Sequence, residues 1–158
     1  MDSQDAFEPT YLDYSVEDLL EQAQQNAQAS LIATVAFLLE REIRPDAWAA
    51  FIGDRFALAW EDDDLWGADE FLDAMLANYR SLGATVVSAE LGPARAEAVI
   101  TGFPDPAACA RFGASVAAVA AFHAATAPIA AGRGLRWSWT LEDAAEARTR
   151  LVVRGDGA

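Results

Sequence analysis

Apolar residues recur every three to four positions through the first part of the chain, and this is the spacing of an amphipathic helix. The spacing predicts one long helix over residues 16–42. Ser15 precedes it and Asp18 follows three positions later, a variant of the capping box that begins many helices. Between Leu31 and Leu39 apolar residues cover nearly the whole circumference. We expect that stretch to lie either in the core or against a second subunit.

Two further helices follow. Pro45 suits the first position of a helix, where its missing N–H costs nothing, and this second helix extends to about Trp60. The third helix is predicted over 69–82. Gly83 stands directly after it, where a residue in the left-handed conformation commonly ends a helix.

The apolar spacing then changes from about four positions to two, which is typical of β-strands with one buried face. The alternation predicts one hairpin from 85–91 and 94–101 and another from 135–141 and 149–153. In the first hairpin the inner face is expected to carry Val87, Ala89, Leu91, Ala96, Ala98 and Ile100. In the second, Leu135, Trp137, Trp139 and Leu141 share one side.

An alanine-rich helix is predicted over 106–127, with Asp105 as its N-cap and Pro106 at its first position. The order is therefore α-α-α-ββ-α-ββ. Short turns make each hairpin antiparallel, and strands with one apolar face need helices over that face. We predict an α+β fold, a four-stranded antiparallel sheet covered on one face by about four helices. Residues 1–15 form an N-terminal arm and residues 16–154 a single domain.

Composition restricts the possible partners. The chain has 158 residues, 53% of them hydrophobic, and a formal net charge of −14 with a pI near 4.2. A chain this acidic is repelled by phosphates, so we expect it to bind neither nucleic acid nor an anionic membrane. The first residues are acidic rather than basic and do not resemble a signal peptide. One cysteine cannot form an internal disulfide, so we expect a cytoplasmic protein.

Cys109 and His123 are the only cysteine and the only histidine. On one straight helix they would lie about 21 Å apart, too far for a thiol–imidazole pair. Cys109 is interpreted as a small buried core residue. His123 has two interpretations: a neutral, hydrogen-bonded core residue, or a polar group in an apolar cavity that orients a ligand or acts as an acid or base.

Other candidate chemistry is weak. Ser115 superficially fits a nucleophile elbow, but that motif needs a strand-to-helix turn and Ser115 is predicted in mid-helix. The acidic run Glu61–Asp64 lacks the ligand spacing of a calcium loop and is interpreted as a solvated turn. The chain contains no lysine, which excludes a Schiff base and a Walker A loop. We expect no metal and no cofactor.

The five tryptophans offer the remaining functional signal. Trp137 and Trp139 are expected on the inner sheet face beneath the alanine-rich helix. Bulky residues opposite small ones either fill the core or enclose an apolar cavity. For the second case, the predicted ligand-binding residues are Trp48, Trp60, His123, Trp137 and Trp139.

The element order resembles the ligand-binding fold shared by 4-vinyl-reductase domains, TRAPP-type trafficking subunits and related haem-NO-binding-like proteins. The resemblance is one of topology over residues 16–154. It is carried by Leu82-Gly83 before the first hairpin, Thr101–Pro104 before the helix, and Gly134–Trp137 at the last hairpin. It implies an internal apolar pocket and dimers built from the N-terminal helices. The chain lacks the C-terminal cysteine cluster frequent in 4-vinyl-reductase proteins, so it implies no metal or redox function and no catalytic residue.

These observations predict a binding or sensor-like module for a small apolar molecule, homodimeric through helix 16–42. One alternative is a small acid–base hydrolase or isomerase that pairs His123 with Glu142 or Asp63. Another is a non-catalytic interaction subunit whose contact surface is the apolar belt of Leu31–Leu39.

Overall fold

The computed structural model describes residues 13–60 and 65–157. Its elements follow the predicted order. They are α1 (Val16–Glu40), α2 (Pro45–Ala59), α3 (Ala68–Ser81), β1 (Thr85–Leu91), β2 (Arg95–Thr101), α4 (Pro106–Phe112), α5 (Val116–Ala120), a 3₁₀ helix (Ala121–Ala125), α6 (Thr126–Ala131), β3 (Leu135–Asp143) and β4 (Arg148–Gly155). Residues 1–12 of the predicted arm lie outside the described residues.

Local sequence signals account for most helix ends. Ser15 and Asp18 form the expected capping box, with the Ser15 hydroxyl accepting from the Asp18 N–H at 3.1 Å. The Asp105 carboxylate caps α4 by accepting from the Ala107 N–H. Gly83 follows α3 with φ of +90°, a backbone conformation that residues other than glycine rarely adopt.

The four strands form one antiparallel sheet in the order β1-β2-β4-β3. Trp137 of β3 lies opposite Val153 of β4, and Trp139 lies opposite Leu151. Leu151 and Val153 are fully buried, so both tryptophans lie on the inner face, as predicted. The predicted α+β class and four-stranded antiparallel sheet are confirmed.

The helices form two layers on that inner face. α3 packs against β1, β2 and β4, and α6 packs against β3. α2 lies on the 3₁₀ helix and α6, while α1 packs against α4 and α5. The main core lies between the sheet and the inner helices. A second, smaller cluster lies under α1 and contains Ile32, Val35 and Cys109.

The predicted inner face of the first hairpin agrees with the structure in β2 but not in β1. Ala96, Ala98 and Ile100 of β2 are buried, but Val87 and Leu91 of β1 are about half exposed. A bulge between Val86 and Ser88 interrupts the pairing. β1 is also an edge strand and is exposed along most of its length. Alternation identified the strand but not how much of it is covered.

The predicted single helix over 106–127 is wrong. Gly113, with φ of +77°, ends α4 in the left-handed conformation. Ser115 then caps α5, its hydroxyl accepting from the Ala118 N–H at 3.1 Å, so it is an N-cap rather than a mid-helix residue. The chain bends by 110° between Pro106–Phe112 and Val116–Ala131. That bend lets one short segment pack on α1 and the next reach α2 and the sheet.

No single helix within 13–60 and 65–157 is long and apolar enough to cross a membrane. The segments Pro106–Phe112 and Val116–Ala131 meet the length and composition criteria only when taken together, across their 110° bend.

Gln28 is a buried polar residue that fastens α1 to two distant loops. Its Nε2 donates to the carbonyls of Leu82 at 2.8 Å and Gly102 at 3.1 Å. Its Oε1 accepts from the Asp105 N–H at 2.7 Å. All three bonds satisfy main-chain groups at the ends of other elements, so one side chain fixes the position of α1 on the rest of the fold.

Candidate functional site

An apolar cleft of about 290 Å³ lies between α2, α3 and the segment formed by the 3₁₀ helix and α6. The described residues that line it carry no charged side chain. They are Phe56, Ala59, Trp60, Met75, Asn78, Tyr79, Ser81, Leu82, Phe122, Ala125, Thr126 and Ile129. Its volume is near the lower end of the range for small-molecule sites, about 300–1,000 Å³.

A close helix contact positions one wall of the cleft. Gly53 is buried in α2, and a β-carbon built there would lie 2.6 Å from the Ala125 carbonyl oxygen. Only glycine allows this approach of the α2 backbone to the 3₁₀ helix. Phe56 and Ala59, one and two turns further along α2, then face the cleft beyond the contact.

Tyr79 and His123 form a buried polar pair at the cleft, in which Tyr79 lines the wall and His123 lies behind it. The Tyr79 hydroxyl lies 2.6 Å from His123 Nδ1, and His123 is completely buried. Tyr79 and Thr126 both line the cleft. His123 Nε2 is buried with no hydrogen-bond partner among the described residues.

Burial keeps both members of the pair uncharged. It lowers the pKa of His123 from 6.5 to about 3 because the imidazolium ion would lose its hydration. Burial also raises the pKa of Tyr79 strongly, and the bond to Thr126 only partly offsets this. Both side chains are therefore neutral near pH 7 and act as hydrogen-bonding groups rather than as charges.

Aromatic rings surround the imidazole. The ring centroids of Tyr79, Trp139 and Phe103 lie 5.2, 5.3 and 5.6 Å from that of His123. Trp137 donates from its indole N–H to the His123 carbonyl at 2.8 Å. The histidine is thus fixed by its side chain and by its main chain.

Trp60 lines the cleft and contacts the buried side chain of Arg133. Arg133 donates to the Trp60 carbonyl at 2.8 Å and is nearly fully buried. Its guanidinium carbon lies 5.6 Å from the ring centroid of Trp60 and 4.9 Å from that of Trp66. These contacts restrain the indole of Trp60 at the cleft wall.

The five predicted ligand-binding residues do not form one site. Trp60 lines the cleft, and His123 stands behind it, bonded to Tyr79. Trp137 and Trp139 contact His123 from the sheet side. Trp48 packs against the far side of Phe122, with ring centroids 6.0 Å apart, and is absent from the lining.

The sequence reasoning missed most of the lining. Met75 and Tyr79 are four positions apart on α3, and Phe122, Thr126 and Ile129 recur at helical spacing. That periodicity indicates that each set shares a helix face. It does not show that the two faces leave a space between them.

The structure does not bring Glu142, one of the two carboxylates of the catalytic alternative, to His123. Glu142 pairs with Arg148 and Arg150 on the opposite face of the sheet from His123. Asp63 and the rest of Glu61–Asp64 lie outside the described residues. Cys109 is buried in the cluster under α1, where burial raises the pKa of its thiol to about 11. Within 13–60 and 65–157, no three His, Cys, Asp or Glu side chains group as metal ligands.

Comparison with known proteins gives no match, whether to family models, to curated proteins or to solved structures. The resemblance to the 4-vinyl-reductase and TRAPP-type fold therefore stays a prediction from topology. What the geometry defines is an α+β fold with a cleft between its helices whose described lining residues are uncharged.

Proposed function

We propose that this protein binds a small apolar molecule in the cleft between α2, α3 and α6. The observation that supports the proposal is the lining itself. The sequence contains 25 acidic and 11 basic residues, yet among residues 13–60 and 65–157 no charged side chain lines the cleft. Aromatic and aliphatic surface left open between packed helices favours an apolar guest, since its entry removes both surfaces from water.

The pair formed by Tyr79 and His123 supports a binding role over an acid–base role. A general base needs a pKa near the working pH and access to the proton that it removes. The imidazole has a pKa of about 3 and is fully buried behind Tyr79. In the proposed module His123 holds the Tyr79 side chain in place at the wall.

The neutral fluorescent probe N-phenyl-1-naphthylamine tests the proposal. Ala59→Phe extends a ring into the cleft from an exposed position at the end of α2 and is expected to weaken probe binding at least roughly tenfold, because the space is then occupied. Ala50→Phe adds the same ring at an exposed position outside the cleft and is expected to bind the probe as the wild type does. Equal probe affinity in the two variants, or no binding to the wild type, contradicts the proposal.

Tryptophan fluorescence locates the bound molecule. 1-Bromodecane quenches indoles that it touches, so quenching is expected to fall in Trp60→Phe and to persist in Trp48→Phe, because only Trp60 lines the cleft. The reverse result would place the molecule elsewhere.

A further inference from the structure

The described lining contains four polar side chains, those of Asn78, Tyr79, Ser81 and Thr126. Asn78 and Ser81 lie at exposed positions, and the Ser81 hydroxyl donates to the Asn78 carbonyl, whereas Tyr79 and Thr126 are buried. The Tyr79 hydroxyl is bonded to His123 Nδ1 at 2.6 Å, which fixes the phenol from behind. Thr126 is 8% exposed. The buried part of the wall therefore offers two uncharged hydroxyl groups, one of which is held in place by His123.

The surroundings of these two hydroxyl groups do not suit an ion. No described lining residue is charged. Arg133, which supports Trp60, donates to the Trp60 carbonyl and lies outside the lining. A carboxylate that entered the cleft would lose water without gaining a cation, and burial of an unpaired ion is strongly unfavourable. The net charge of −14 adds a long-range repulsion of anions.

We propose that the cleft selects a neutral apolar compound with one terminal oxygen, an alcohol or a ketone, over the hydrocarbon and the carboxylate of equal length. The oxygen meets the hydroxyls of Thr126 and Tyr79, and the chain lies along Phe56, Trp60, Met75 and Ile129. This inference rests on the proposed function and names the ligand class for the same cleft. Thr126 and Tyr79 are the specificity residues, and His123 is a positioning residue that acts through Tyr79.

Displacement of N-phenyl-1-naphthylamine by four competitors of equal chain length tests the selection. 1-Decanol and 2-decanone are expected to displace the probe from the wild type at roughly 3- to 10-fold lower concentration than decane, because one hydrogen bond strengthens binding by about that factor. Decanoate at pH 7.5 is expected to be roughly 100-fold weaker than 1-decanol, because its charge finds no partner.

Thr126→Val removes one hydroxyl with little change of shape. In this variant the concentration of 1-decanol that displaces the probe is expected to come within about twofold of that of decane, while the concentration needed for decane is unchanged. Tyr79→Phe provides a second route to the same loss. Thr34→Val, at an exposed position of α1, is the control and is expected to retain the preference.

The outcomes separate the two proposals. The selection is overturned, while apolar binding stands, if decane, 1-decanol and 2-decanone displace the probe from the wild type at the same concentration. It is also overturned if decanoate displaces the probe as well as 1-decanol does. Unchanged selectivity in both Thr126→Val and Tyr79→Phe also overturns it. If the probe does not bind at all, the proposed function fails, and the selection fails with it.

Discussion

The hydroxyl oxygen of Tyr79 lies 2.6 Å from Nδ1 of His123, and the imidazole has no exposure to solvent. The two residues are 44 positions apart and belong to α3 and to the 3₁₀ helix. Their bond links two of the helical segments that enclose the cleft. The stability of this part of the fold is therefore coupled to the protonation of one side chain.

Acidification is expected to destabilise the protein from about pH 6.5 downward. The His123 pKa is about 3 in the folded chain and near 6.5 when unfolded, so the unfolded chain binds the additional proton. Stability is complete above pH 6.5 and falls as the pH decreases towards 3. Between pH 6.5 and 5 the free energy of unfolding is expected to fall by about 1.6 kcal/mol. Urea unfolding at intervals of 0.5 pH unit measures it.

His123→Gln is the control for that slope. It removes the only histidine, so the free energy of unfolding is expected to vary little between pH 6.5 and 5, although it is lower at pH 7. An equally steep dependence in the variant would assign the acid sensitivity to carboxylates instead.

Tyr79→Phe is expected to lower the free energy of unfolding by about 1–3 kcal/mol at pH 7. The substitution keeps the ring but leaves His123 Nδ1 buried without its partner. Tyr14→Phe, at an exposed position, is the matched control and is expected to change stability by less than about 0.5 kcal/mol. Chemical denaturation measures the free energy of unfolding of both variants. A Tyr79→Phe variant as stable as the wild type would argue against a structural role for the bond.

Gly53→Ala is expected to destabilise the protein, contrary to the usual gain when alanine replaces glycine within a helix. The new β-carbon would lie 2.6 Å from the Ala125 carbonyl oxygen and 2.9 Å from its α-carbon. Separation of the two helices is expected to cost about 1–3 kcal/mol. Thermal unfolding measures the loss.

Ala50→Gly on the same helix is the comparison, with an expected cost of about 0.5–1 kcal/mol. A Gly53→Ala variant more stable than the wild type would show that α2 does not need this approach.

Gln28→Glu is expected to destabilise the protein by about 2–4 kcal/mol at pH 7. A carboxylate would oppose the carbonyl oxygens of Leu82 and Gly102, to which the Gln28 amide now donates. The loss is expected to shrink as the pH falls and the new carboxyl group binds a proton. Gln25→Glu adds the same charge at an exposed position of α1 and controls for it. A similar loss in both variants would trace the effect to net charge.

The homodimer through helix 16–42 stays a prediction, with a direct measurement. α1 buries Ile32, Val35 and Leu38 within its own chain and leaves Phe37 49% exposed. If the helix pairs with a second copy, sedimentation equilibrium gives a dimer that Phe37→Glu converts to a monomer, since burial of the new charge opposes association. Phe112→Glu, on α4, is the control and remains dimeric. A monomeric wild type contradicts the prediction.

The order of the elements could be derived from the sequence because local signals determine it. Apolar spacing distinguished helix from strand, and Ser15, Pro45, Gly83 and Asp105 identified helix ends. The bend at Gly113 was missed although its signals are local, a glycine that ends α4 and a serine that caps α5. The alanines on both sides favour helix and hid these two signals.

The site was less accessible to sequence reasoning. Tryptophans were expected to mark it, but four of the five predicted residues lie outside the cleft lining. No pattern in the sequence marks Tyr79 or Thr126 as a site residue. They belong to different helices and line the same cleft only in the folded chain. The approach of α2 to the 3₁₀ helix likewise depends on a contact between Gly53 and Ala125, which are 72 positions apart in sequence.

The three bonds of Gln28 also have a consequence during synthesis. Their partners Leu82, Gly102 and Asp105 are 54 to 77 positions later in the chain. At about 5–20 residues per second, the ribosome adds them about 3–15 s after Gln28. Throughout that interval α4 and α5, which pack against α1, are not yet synthesised, and α2 is the native neighbour already present. We expect α1 to be the segment of the nascent chain that chaperones hold longest.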